Sequence, residues 1–157
     1  MFQKILVPLD GSKLAECALP YAEELAKGCN TDEVVLVSVT KRVQGYRPTD
    51  APEQPLEQEL IPEATGKKER QAQRYLGKIA KALEAKGIKV RTEVLLGNPA
   101  EEITFFAKYN SIDVIVMSSH GRSGPSRWTH GSVTEKIFRT SCVPILMVRA
   151  PGCIPDI

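Results

Sequence analysis

The chain has 157 residues, 42% of them hydrophobic and 25% charged, with a formal net charge of +2. That length fits one domain with a core of its own, and so small a charge does not argue for nucleic acid or an anionic membrane as partner. No apolar run approaches the roughly 20 residues of a membrane span, Met1 leads directly into a strand-like segment with no signal sequence, and Cys17, Cys29, Cys142 and Cys153 lack close-pair metal spacing and read as reduced thiols of a cytoplasmic protein.

Lys4–Leu9 reads as a first strand, with Pro8 near its end, where a missing N–H matters least. Asp10-Gly11-Ser12 is a tight strand-to-helix turn with Ser12 as N-cap. The first helix carries Cys17, Ala18, Tyr21, Ala22 and Leu25 on one stripe. Pro20 either kinks that helix or restarts it near an N1 position, and Gly28 is the expected stop. Glu33–Val39 is a second strand. From Thr40 to about Lys67 the apolar period dissolves among Pro48, Pro52, Pro55, Pro62 and several acidic residues, which predicts a surface excursion. Within it only Leu56, Leu60 and Ile61 suggest a helical turn.

Ala72, Leu76, Ile79, Ala80 and Leu83 predict a long helix from about Lys68 to Lys86, stopped by Gly87. Val90, Thr92, Val94 and Leu96 alternate as a third strand. Gly97-Asn98-Pro99 opens the next helix, with Asn98 as N-cap, Pro99 at N1, Glu101 and Glu102 in the first turn, and Ile103, Phe106 and Ala107 facing inward. Val114–Met117 is an unbroken β-branched run, the mark of a strand buried on both faces. A helix from Val133 to about Thr140 presents Val133, Ile137 and Phe138, and Pro144–Val148 is a fifth strand. Five strands alternating with four helices define an α/β domain over 1–150, with a mostly parallel sheet, helices on both faces and a loose tail at 151–157.

The chemistry concentrates after the fourth strand. A loop with glycines at Gly121, Gly124 and Gly131 ends in Ser132-Val-Thr-Glu135, a capping box with Ser132 as N-cap. Free N–H groups and the positive end of a helix dipole meet there, and glycines let the backbone approach a ligand closely, which suits phosphate. Arg122 and Arg127 are candidate phosphate contacts or solvated loop arginines. His120 and His130 read as loop-packing or phosphate-adjacent groups ahead of proton transfer or metal binding. Trp128 is either packed or a partner contact. Asp10 either accepts from a ligand or caps its own turn. Walker A, the dinucleotide fingerprint and the Gly-x-Ser-x-Gly elbow are absent.

The glycine loop resembles that of the universal stress protein family, whose ATP-binding branch carries Gly-x-x-Gly, nine residues, then Gly-Ser or Gly-Thr. Here Gly121, nine residues and Gly131-Ser132 match, and Ser118 stands in place of the leading glycine. Lys4–Ser12 and Gly97-Asn98-Pro99 are similar to the family's first-strand and third-strand turns. The resemblance covers the chain apart from the excursion and the tail.

It implies an open five-stranded parallel sheet, Rossmann-like, in the order 3-2-1-4-5. It also implies an adenine-nucleotide site. Pro8, Asp10 and Val39 would surround base and ribose, lined further by Gly97 and Met117. Gly121, Gly131, Ser132 and Val133 would hold the phosphates, with Ser118, His120 and Arg122 beside them. The implied cofactor is ATP, with Mg as its companion ion. The implied assembly is a homodimer through Pro144–Val148, which would cover an exposed sheet edge.

The expectation is a nucleotide-dependent regulator with very slow hydrolysis at most, because phosphoryl transfer needs cationic clamps and a positioned nucleophile that the loop does not display. Two rivals remain. One is a member without tight nucleotide binding that acts as a protein-interaction module with an unidentified partner. The other, an adenylating ligase, requires a Ser-Gly-Gly-x-Asp-Ser loop, which Leu9-Asp-Gly-Ser12 does not match. If Ser118 needs a positive φ, serine there costs about 1 kcal/mol; at negative φ it is harmless.

Overall fold

The computed structural model describes residues 1–41, 62–120 and 132–150, with residues 62–65 and 132 as backbone only. Its elements run β1 (Lys4–Pro8), α1 (Lys13–Glu16), α2 (Leu19–Cys29), β2 (Glu33–Thr40), α3 (Pro62–Glu84), β3 (Val90–Leu96), α4 (Pro99–Tyr109), β4 (Val114–Ser118), α5 (Ser132–Thr140) and β5 (Ile145–Val148). The strands form one parallel sheet in the order β3-β2-β1-β4-β5. This is the open, Rossmann-like arrangement that the resemblance implies.

Alternation along the buried strands divides the core between two faces. On one face Ile5, Val7, Val34, Leu36, Val114 and Val116 pack under Ala18 at the N-cap of α2, Ala22 and Ala26 within it, and Leu76, Ala80 and Leu83 of α3. On the other, Leu6, Val35, Val37, Ile115 and Met117 meet Ala100, Ile103 and Ala107 of α4 and Ile137 of α5. β1 and β4 are thus covered on both sides, which is why they read as unbroken apolar runs. At the opposite end of the sheet from the cleft, Asp113 ties the two strands together by accepting the N–H groups of Gln3 and Lys4 at 2.8 and 2.9 Å.

Of the two readings of Pro20, the restart holds: it sits in the first turn of α2, after the separate single turn of α1. Several other local expectations change. α2 runs through Gly28 and stops at Asn30, which takes the left-handed conformation (φ 51°) and returns its N–H to Ala26 and Lys27. An exposed helical glycine costs only about 1 kcal/mol. Stopping at Asn30 also lets Thr31 donate to the Phe2 carbonyl at 2.6 Å and enter β2 in register. α3 starts at Pro62, within the stretch expected to be irregular through 67, because a proline suits a helix start and the core-facing stripe begins only later. Tyr21 and Phe138, expected on apolar faces, are 54% and 65% exposed, and Val133 is exposed as well. Small alanines let α2 approach the sheet closely, which leaves Tyr21 outside. α5 buries Thr134 and Ile137 instead of Val133 and Phe138. Cys17, Cys29 and Cys142 are free thiols. Cys153, the 42–61 part of the excursion and the tail from 151 lie outside the described residues.

Candidate functional site

β1 ends at Pro8 and delivers the turn Leu9–Ser12. Gly11 takes φ 85°, which favours glycine. Asp10 Oδ1 accepts the Ser12 N–H at 2.9 Å and the Ser12 hydroxyl at 2.6 Å, while Ser12 Oγ accepts the Ala15 N–H at 3.1 Å. Asp10 therefore organises its own turn as well as facing the crevice. The neighbouring strand, β4, carries Met117 and Ser118 to the same level and continues into Ser119 and His120, all of them buried.

The end of β4 is firmly held. The Ser119 N–H donates to the Val148 carbonyl at 2.8 Å, Ala150 N–H donates to Ser119 Oγ at 3.3 Å, and Ser119 Oγ lies 3.0 Å from His120 Nδ1. Thr134 of α5 donates to the Ser118 carbonyl at 3.4 Å, which seats the start of that helix against the strand end. Ser118 itself is strand residue: the described non-glycine residues with positive φ are Asn30 and Ser111. Serine therefore causes no backbone strain at this position, and its hydroxyl accepts the His120 N–H at 3.4 Å.

These ends surround a cleft of about 800 Å³, of the size that holds small ligands. It opens beyond the carboxyl ends of β1, β2 and β4, where the chain leaves β1 for both directions of the sheet. In such sheets this switch point is where ligands bind. Its walls include Pro8, Asp10, Val39, Met117, Ser118, His120 and Val133. Gly97 does not line it. It stands behind the rim with φ 145°, donating its N–H to the Thr40 carbonyl at 3.0 Å, and it sets up Asn98, whose side chain caps α4 by accepting from Ala100 and Glu101. Pro99 and Ile103 of α4 reach the cleft instead. Gly121, Arg122 and Gly131, with Gly124, Arg127, Trp128 and His130, lie outside the described residues, as does the Ser132 side chain.

One wall has no signal in the local sequence. Lys68, Gln71, Ala72 and Tyr75 of α3 line the cleft. The Tyr75 hydroxyl donates to Glu16 Oε1 at 3.1 Å, which links α3 to α1 across 59 residues of chain. Burial, then the charge of Glu16 and the hydrogen bond to it, then the charge of Asp10, hold the phenol protonated well above its usual range, against a smaller opposing pull from the Gly11 backbone. A tyrosine at helical spacing beside Leu76 and Ile79 reads as core. Only the packing of α3 over the β1 turn turns it toward the cleft. Thr40, at the end of β2, also lines the cleft, and its buried hydroxyl has no hydrogen-bond partner among the described residues.

A parallel sheet in this order, with a ligand-sized cleft at its switch point and a helix start beside it, defines a Rossmann-like α/β protein. The universal stress protein family model matches residues 1–149, and the chain belongs to that family. It is similar to the universal stress protein MJ0531 of Methanocaldococcus jannaschii, 32% identical over 96% of this chain and 84% of the relative. The solved structure of MJ0577, from the same organism, superposes with a TM-score of 0.78 at 32% identity, over 95% of this chain and 96% of that one. The fold recurs in a universal stress protein family protein of Arabidopsis thaliana solved with AMP bound, with a TM-score of 0.64 at 13% identity, over 96% of this chain and 93% of that one.

Proposed function

We propose that this universal stress protein is a regulator that binds an adenine nucleotide in the switch-point cleft. One observation carries the reading: the ends of β1, β2 and β4 and the start of α5 converge on one ligand-sized cleft. The residues fit such a ligand. Val39, Met117 and Ile103 supply an apolar seat for a base, and the Thr40 hydroxyl is a buried polar atom without a partner among the described residues. Val133, on the wall, belongs to the first turn of α5, where N–H groups are available to an anion. The AMP-bound Arabidopsis protein supports the ligand class.

In this reading Pro8, Asp10, Val39 and Met117 take base and ribose, with Gly97 shaping the rim behind them. Ser118, His120, Gly121, Arg122, Gly131, Ser132 and Val133 serve the phosphates of ATP, with Mg carried by the phosphates. Hydrolysis is very slow at most, and the protein works in the cytoplasm. β5 is an edge strand with Leu146 exposed, and two copies pair through Pro144–Val148.

The test is thermal unfolding with Mg-ATP, ADP and AMP, on the wild type and on Gly131→Ala/Ser132→Ala. Ligand at about 100 times its Kd stabilises by about 2.7 kcal/mol, a rise on the order of 5–10 °C at this size. The rise should vanish in the double variant. No rise at millimolar nucleotide, in protein free of bound ligand, would refute the reading and favour a member that works through protein contacts alone.

A further inference from the structure

Along α3 the exposed face opposite the core carries Lys67, Arg70, Arg74, Lys78 and Lys81. At about 100° per residue these five fall within a stripe of about 80°, and at 1.5 Å per residue the stripe runs about 21 Å. Gln71 and Gly77 flank the row, and no acidic side chain interrupts it between Lys67 and Lys81; Glu63, one turn before Lys67, stands at its head. None of the five forms an ion pair among the described residues. Elsewhere the chain pairs its helical charges at i, i+4, as in Glu23–Lys27 and Glu135–Arg139. Like charges at that spacing repel and cost the helix stability. A row that repels itself, in a protein of net charge +2, is held at a cost that an anionic partner would offset.

We propose that this face of α3 docks an acidic polypeptide segment of a partner protein. The neighbouring chemistry selects that occupant. Tyr75, the aromatic residue bordering the stripe, is partly buried with its hydroxyl tied to Glu16, so the stripe itself presents no fully exposed ring to stack single-stranded nucleic acid. The stripe also holds no apolar side chain to enter a membrane, since the apolar side of α3 is buried in the core. Arg70 and Arg74, one turn apart, present two planar forks that match carboxylates spaced one helical turn apart. This inference stands apart from the nucleotide reading, because its test uses ligand-free protein.

The test is fluorescence anisotropy with a labelled Glu/Ala-rich helical peptide, titrated with the full chain at low and at high salt. The wild type should bind, more weakly at high salt. Arg70→Glu/Arg74→Glu should lose roughly tenfold or more, with a melting temperature no lower than the wild type's because the repulsion along the row is relieved, and Arg70→Gln/Arg74→Gln should fall between. Lys89→Glu/Lys108→Glu, with the same net charge, should bind as the wild type does. Equal loss in both reversals would overturn the proposal, as would preference for inorganic polyphosphate over the peptide. So would a silent wild type that gains binding on Asp50→Asn/Glu53→Gln/Glu57→Gln/Glu59→Gln, which would assign the face to the chain's own acidic run.

Discussion

The turn behind the cleft rests on Gly97, and replacing it with alanine should be costly for two separable reasons. At φ 145° the backbone is in a region that L side chains rarely adopt, and holding alanine there costs about 1–3 kcal/mol. An added Cβ would also lie 2.7 Å from Glu102 Oε1 and 3.0 Å from Glu102 Cγ. Glu102 is half-buried in the first turn of α4, so it must leave its rotamer, at about 1 kcal/mol. The total is about 3 kcal/mol, which at this size lowers Tm by roughly 6–12 °C. Urea unfolding of Gly97→Ala, Glu102→Ala and the double variant separates the two effects. The double variant should recover the crowding, about 1 kcal/mol, and keep the backbone strain. A Gly97→Ala protein as stable as the wild type would refute the reasoning. Full recovery in the double variant would show that the φ value carries no cost.

Tyr75 gives a pH signature. Its folded pKa is raised, so its contribution is complete below the usual tyrosine value near 10 and is lost as pH rises toward the folded value. Stability should fall more steeply above pH 10 in the wild type than in Tyr75→Phe, and near neutral pH the variant should lose about 1 kcal/mol with its bond to Glu16; parallel curves across that alkaline range would remove the argument. Ser118→Gly restores the family's glycine at a position already in strand conformation. It should leave the nucleotide-induced rise in Tm unchanged and lower ligand-free stability by about 0.5–1 kcal/mol, and a much larger ligand rise in the variant would show that serine obstructs the site.

Much of this architecture is local and so was legible in the residues themselves. The periods of the strands and helices, Ser12 and Asn98 as caps and the left-handed Gly87 all depend on neighbours within a few positions. The buried run Val114–Met117 announced a central strand, because a strand covered on both faces cannot alternate. The strand order came from resemblance, since period and spacing say which segments are strands and not which lie side by side. Tertiary packing decided the rest. Gly28 and Asn30 can each end a helix, and the entry into β2 chose Asn30. Tyr21 and Ala22 both suit an apolar stripe, and the close approach of α2 to the sheet admits only the alanine. Tyr75 is set against Glu16 and Asp10 by the docking of α3 over the β1 turn, a contact that spans 59 residues and that no local pattern encodes. The cleft belongs to the same class, because it exists only where strands distant in sequence end at one level.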